Sequence, residues 1–177
     1  MKKKIYKYIA AFAVLCLVFL SVCKTVDMHR DGAKLRDGRY YFYARYASGS
    51  QQLVWDVNYG MEAAGTNVQL WTENYGASQQ FYLSNEGENT FCILFGENGL
   101  CVGENSDAGN VEVQQYTGDY NQLWRVERVG HTQYFTFQNI GSGLYAEYVK
   151  SETEKFFNIE VNQFTEDDMT FYFMLVK

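Results

Sequence analysis

The chain has 177 residues, 15 of them basic and 21 acidic, for a formal net charge of −6 at neutral pH. That length allows one domain with a short extension, and the acidic balance disfavours partners that present phosphate, such as nucleic acid or anionic lipid. His29 and His131 have no spaced metal-ligating partner and no nucleophile motif beside them, so no catalytic residue, metal or cofactor is expected.

Lys2, Lys3, Lys4 and Lys7 precede a run from Ile9 to Cys23 that is apolar apart from Ser21. A basic flank followed by a short apolar run is the pattern of a secretory signal, and the run falls short of the roughly 20 residues a spanning helix needs. Leu20-Ser21-Val22-Cys23 resembles a bacterial lipoprotein box with Cys23 as the lipidated residue, although Val22 stands where a small residue is usual. Residues 1–23 therefore read as a cleaved signal, a lipidated N-terminus or an uncleaved anchor. All three place the rest of the chain beyond the cytoplasmic membrane, secreted or tethered to its outer face. Cleavage near Cys23 removes four lysines and no acid, leaving 11 basic against 21 acidic residues and a net charge of −10. Residues 24–36 carry mixed charge and little apolar content, which suits a tether.

Beyond the tether one pattern recurs. Val68-Gln69-Leu70-Trp71 is followed by Gln79-Gln80-Phe81, and Val113-Gln114-Gln115-Tyr116 by Gln122-Leu123-Trp124. Val161-Asn162-Gln163-Phe164 is followed by Met169-Thr170-Phe171. The starts lie 45 and 48 residues apart, so residues 37–177 read as a triplication with repeats of about 37–84, 85–129 and 130–177. Each repeat opens with alternating apolar residues: Tyr40/Phe42, Phe91/Ile93 and Phe135/Phe137. A Gly/Ser/Asn turn and a second short apolar run follow, which is strand chemistry punctuated by turns. Four strands in each of three repeats predict twelve. A propeller needs at least four blades, so an all-β threefold barrel, a β-trefoil, is expected, with Phe81, Trp124 and Phe171 in its core. Cys92 and Cys101 are predicted to share the outer face of a hairpin, where export permits a disulfide or leaves two neighbouring thiols.

The stretches Asp37-Gly38-Arg39-Tyr40-Tyr41-Phe42, Trp55-Asp56-Val57, Gly65-Thr66-Asn67-Val68-Gln69-Leu70-Trp71 and Gln79-Gln80-Phe81 closely resemble a repeat of the ricin B-type lectins, most of all copies from secreted bacterial proteins. The resemblance implies one shallow sugar site per repeat. Such a site has an acid after the second strand, an amide, an aromatic platform and an asparagine before the Q-x-W glutamine. The Q-x-W residues, here Gln79, Phe81, Gln122, Trp124 and Phe171, are implied to be structural. Carried onto this chain, the first repeat offers Asp56, Gln69 and Trp71, with Ser78 in place of asparagine. The second offers Gln114, Tyr116 and Asn121 but has Gly103 where the acid belongs, and the third offers Glu147, Asn162, Phe164 and Asp168.

The chemistry of the first set suits a sugar. A carboxylate is acceptor-only and can receive two adjacent hydroxyl protons, whereas an amide both donates and accepts. An indole face stacks on the C–H face of a pyranose. A site this open implies affinity on the order of millimolar, about 4 kcal/mol. The expected function is thus non-catalytic carbohydrate binding by a monomeric, exported module whose partners are glycans or glycoconjugates and which meets a membrane only through its N-terminal segment. The alternative is a β-trefoil that binds proteins through its loops and keeps degenerate sugar sites. An open convergence of Asp56, Gln69 and Trp71 favours the first reading, and a buried Trp71 the second.

Overall fold

The computed structural model describes residues 35–45, 52–150, 157–162 and 170–175. The signal segment, Cys23, most of the tether, Phe164 and Asp168 lie outside the described residues. The first repeat contains β1 (Gly38–Ala44), β2 (Leu53–Val57), β3 (Val68–Thr72) and β4 (Phe81–Gly87). The second contains β5 (Thr90–Phe95), β6 (Leu100–Asn105), β7 (Asn110–Gln115) and β8 (Leu123–Arg128). The third contains β9 (Phe135–Asn139), β10 (Tyr145–Lys150), β11 (Phe157–Asn162) and β12 (Phe171–Leu175). The expected twelve strands are present.

The first and last strand of each repeat close a barrel. β1 pairs with β4, β4 with β5, β5 with β8, β8 with β9, β9 with β12, and β12 returns to β1, all antiparallel. The middle strands form the hairpins β2–β3, β6–β7 and β10–β11. These hairpins bridge to one another through β3–β11, β11–β7 and the Asn67–Glu112 bridge. Ring closure removes the free sheet edges that an open sheet would present. The fold is a β-trefoil.

The core is aromatic because each repeat sends large rings to one axis. Phe42 lies 5.3 Å from Phe81 in a stacked pair and meets Trp55 edge-on at 5.3 Å. Phe137 sits 4.9 Å from Trp55 and 5.6 Å from Phe171. Phe81, Trp124 and Phe171 are fully buried, and the Trp124 indole donates to the Val102 carbonyl at 2.9 Å. Such ring pairs contribute about 0.5–1.5 kcal/mol each beyond the area they bury.

Two expectations need correction. The outer faces of the opening strands are not open to solvent, since Tyr41, Phe42, Tyr43 and Ala44 are all buried, as are Phe91, Cys92 and Ile93. The reason is a second covering layer. The connection after β3 lies over the outer face of β1, where Tyr75 meets Tyr41 edge-on at 5.9 Å and accepts its hydroxyl at 3.4 Å. Cys92 and Cys101 share one face of the hairpin as neighbouring thiols, as expected, but that face is buried. They are buried free thiols that share a hydrogen bond with each other, and that bond pushes the Cys92 thiol up and lowers that of Cys101.

The second correction is one of register. Asp56 pairs with Gln69, Gly103 with Glu112 and Glu147 with Glu160. The bridges between hairpins are Asn158 to Gln69, Asn67 to Glu112 and Glu160 to Asn110. Threefold symmetry thus equates Gln69 with Glu112 and Glu160, and Asn67 with Asn110 and Asn158. Leu70, not Val68, matches Val113 and Val161. Trp71 accordingly shares its position with Gln114 and Asn162. A shift of two residues keeps every side chain on its own face of a strand, so the sequence pattern matches itself equally well either way.

Candidate functional site

In the first repeat Trp55 and Val57 enter the core, so Asp56 between them points outward. On β3, Val68 and Leu70 enter the core, which puts Gln69 and Trp71 on the same outer face beside Asp56. The 3-10 turn Ala77–Gln79 then brings Ser78 over Asp56, and its hydroxyl donates to Asp56 Oδ2 at 2.9 Å. Asp56 and Gln69 are only 5% and 4% exposed, at the floor, whereas Trp71 is 43% exposed at the wall. Burial pushes the Asp56 carboxyl above the usual aspartate range, opposed by hydrogen bonds from Ser78, Gln79 and Gln69. A carboxylate held in this way keeps acceptor capacity at the end of an open concavity.

That concavity has a volume of about 420 Å³ and is lined by Asp56, Asn58, Tyr59, Gln69, Trp71, Asn74 and Ser78. All four residues singled out in the first repeat converge on it. Asn58, Tyr59 and Asn74 were not singled out in the sequence. They sit in connections, where no periodicity marks them, and the Asn58-Tyr59-Gly60 turn signal is the only cue.

The Q-x-W glutamines do a different job. Gln79 donates to the Thr72 carbonyl at 3.0 Å and accepts from the Asn74 amide at 2.8 Å. Gln122 repeats this with the Gln115 carbonyl at 2.9 Å and the Thr117 amide at 2.8 Å. Each is buried and pins the connection between the hairpin and the next barrel strand.

The second repeat brings its residues together but closes on itself. Gln114, at the position of Trp71, folds over Gly103, where an added Cβ would collide with its carboxamide. Gln114 Nε2 donates to the Glu104 carbonyl at 3.1 Å, and its Oε1 accepts from Asn121 at 3.2 Å and Gln122 at 3.2 Å. Tyr116 is not the platform of this repeat. It matches Glu73 of the first, two residues beyond, with its amide on the Gly99 carbonyl at 3.1 Å. In the third repeat Asn162 caps the acid, donating to Glu147 Oε1 at 2.8 Å.

The fold is thus the threefold barrel of the β-trefoils, with a polar, aromatic-walled cavity beside its first hairpin. A family model described as a ricin-type beta-trefoil lectin domain-like matches residues 77–161. Over that stretch the chain is similar to this family, and its fold is a β-trefoil. Among solved structures, the designed threefold-symmetric protein ThreeFoil matches at 21% identity and a TM-score of 0.68, over 79% of this chain and all of that one. An exo-beta-1,3-galactanase from Clostridium thermocellum matches at 22% identity and a TM-score of 0.67, over 78% of this chain and 30% of that one. The Polyporus squamosus lectin, bound to Neu5Aca2-6Galb1-4GlcNAc, matches at 15% identity and a TM-score of 0.63, over 80% of this chain and 50% of that one. At these identities the likeness is one of fold. No curated protein matches the chain by sequence.

Proposed function

We propose that this protein binds carbohydrate without catalysis, through the cavity of its first repeat, on the outer side of the cytoplasmic membrane. The observation that supports this most is the convergence of an acceptor, an amide and an exposed indole on one open concavity: Asp56, Gln69 and Trp71. Asp56 receives paired hydroxyl protons, Gln69 donates and accepts in one plane, and Trp71 carries the apolar face of the ring. Export rests on the basic flank and apolar run of residues 1–23. The test is a glycan array with the 37–177 fragment, followed by titration of the best sugar into the wild type, Trp71→Ala and Asp56→Ala. Binding by the wild type and loss in both variants is expected, and binding that survives Trp71→Ala would sink the site. For location, Cys23→Ser should release the protein from the membrane fraction if the cysteine is lipidated.

A further inference from the structure

Tyr59 adopts a backbone conformation that a bulky residue rarely accepts. It lies at φ 54°, ψ 14° inside the 3-10 turn Asn58–Gly60, and Gly60 follows at φ 64°. A left-handed aromatic residue costs conformational energy, which normally is offset by packing of its ring. Here the ring is 91% exposed, so packing does not offset it. The turn is nevertheless held firmly on both sides. The Asn58 amide donates to the Asn67 carbonyl at 3.0 Å, at the start of β3, and the Met61 amide donates back to Asn58 at 3.3 Å. Gly60 packs against Ser78, where a Cβ would stand 3.5 Å from the Ser78 Cβ, and Ser78 is itself bonded to Asp56. A strained, unpacked ring is thus fixed to the same residues that build the floor of the cavity, and it lines that cavity with Trp71.

We infer that Tyr59 is a second stacking platform, so that the site takes a saccharide of at least two units, the terminal sugar over Trp71 and the next over Tyr59. This rests on the carbohydrate reading above and goes beyond it in naming the ligand's length. The depth order supports it: the acid lies at the floor, Trp71 is partly exposed and Tyr59 stands almost fully in solvent at the mouth. The volume of about 420 Å³ falls in the roughly 300–1,000 Å³ range of small-molecule sites, and the lining extends from Asp56 out to Tyr59. Asn58, on the same turn and also lining the cavity, adds an amide within reach of the second unit's hydroxyls.

The test compares matched mono-, di- and trisaccharides sharing one terminal sugar, across galactose, glucose, mannose and N-acetylglucosamine series. The proteins are the wild type, Tyr59→Gly and Tyr59→Phe. Glycine accepts the left-handed turn freely, so Tyr59→Gly removes the ring without breaking the backbone. In the series that binds, the wild type should prefer the disaccharide over its terminal monosaccharide by about tenfold, as one further stacked ring supplies. That ratio should fall toward one in Tyr59→Gly and persist in Tyr59→Phe. Equal binding of mono- and disaccharide by the wild type would overturn the second platform alone, as would a ratio unchanged in Tyr59→Gly. A wild type that binds no saccharide of any length overturns this inference together with the carbohydrate reading.

Discussion

The first and second repeats place different side chains at one position, and the outcome is opposite. In the first, Trp71 stands out from the strand and leaves Asp56 reachable; in the second, Gln114 folds inward and occupies the space above Gly103. Three hydrogen bonds hold that amide, to Glu104, Asn121 and Gln122. The platform and the acid therefore belong together. A ring too large to fold in keeps the floor open, and an amide that folds in makes a glycine necessary beneath it.

Predictions test this contrast, starting from the largest effect. Trp71→Ala or Asp56→Ala should each cost roughly 1–3 kcal/mol of sugar binding, the scale of a lost polar or stacking partner, which against millimolar affinity reads as no binding by calorimetry. Tyr116→Ala should leave the same titration unchanged, because Tyr116 matches Glu73 and stands over no acid. Next, Gly103→Asp alone should lower stability by about 1–3 kcal/mol through overpacking against Gln114. Gly103→Asp combined with Gln114→Trp should recover much of that loss, and a gain of a second sugar equivalent would show that two positions separate an open repeat from a closed one. A thermal melt that ranks the double variant below the single one would break the comparison.

Smaller effects concern the Asp56 charge. Burial raises its carboxyl above the ordinary value, so the folded protein holds this proton in a pH range where the unfolded chain has released it. Stability from this group is then fully present below the ordinary aspartate pKa and declines as pH rises through the folded value. Asp56→Asn should accordingly melt slightly higher than the wild type at neutral pH, with the difference vanishing in strong acid. Sugar binding has the opposite dependence, since protonation removes an acceptor. Titrations at falling pH should weaken earlier than an ordinary aspartate would predict, and a flat profile would show that the carboxylate is not the acceptor.

The threefold plan was legible because three spaced motifs and strand-period aromatics leave few closed architectures. The register within it was not. Val68-Gln69 and Leu70-Trp71 alternate in the same way, and it is the bridges through Asn67, Asn110 and Asn158, with the matching bonds of Gln79 to Thr72 and Gln122 to Gln115, that choose between them. Asp56, Gln69 and Trp71 were named through the family resemblance, and they meet because Asp56 on β2 pairs with Gln69 on β3, two residues before Trp71 on the same face of the hairpin. Tyr59 was not, since an exposed tyrosine in a turn has no period, and its backbone angle is invisible in the sequence. The burial of Cys92 and Cys101 escaped because strand alternation assigns a face and does not say whether that face is covered.

At the hairpin end of the barrel, the Asn67 amide donates to Asn158 at 2.8 Å across 91 residues of sequence, and Asn158 donates to Asn110 at 3.0 Å across 48. The same β11 backbone pairs Asn158 with Gln69, the amide beside Asp56. Contacts so distant along the chain form late, after most of the loop-closure entropy has been lost. The cavity is lined by residues 56–78 alone, yet the strand that carries Gln69 and Trp71 has its outer edge paired to β11, so the third repeat braces a site to which it contributes no lining residue.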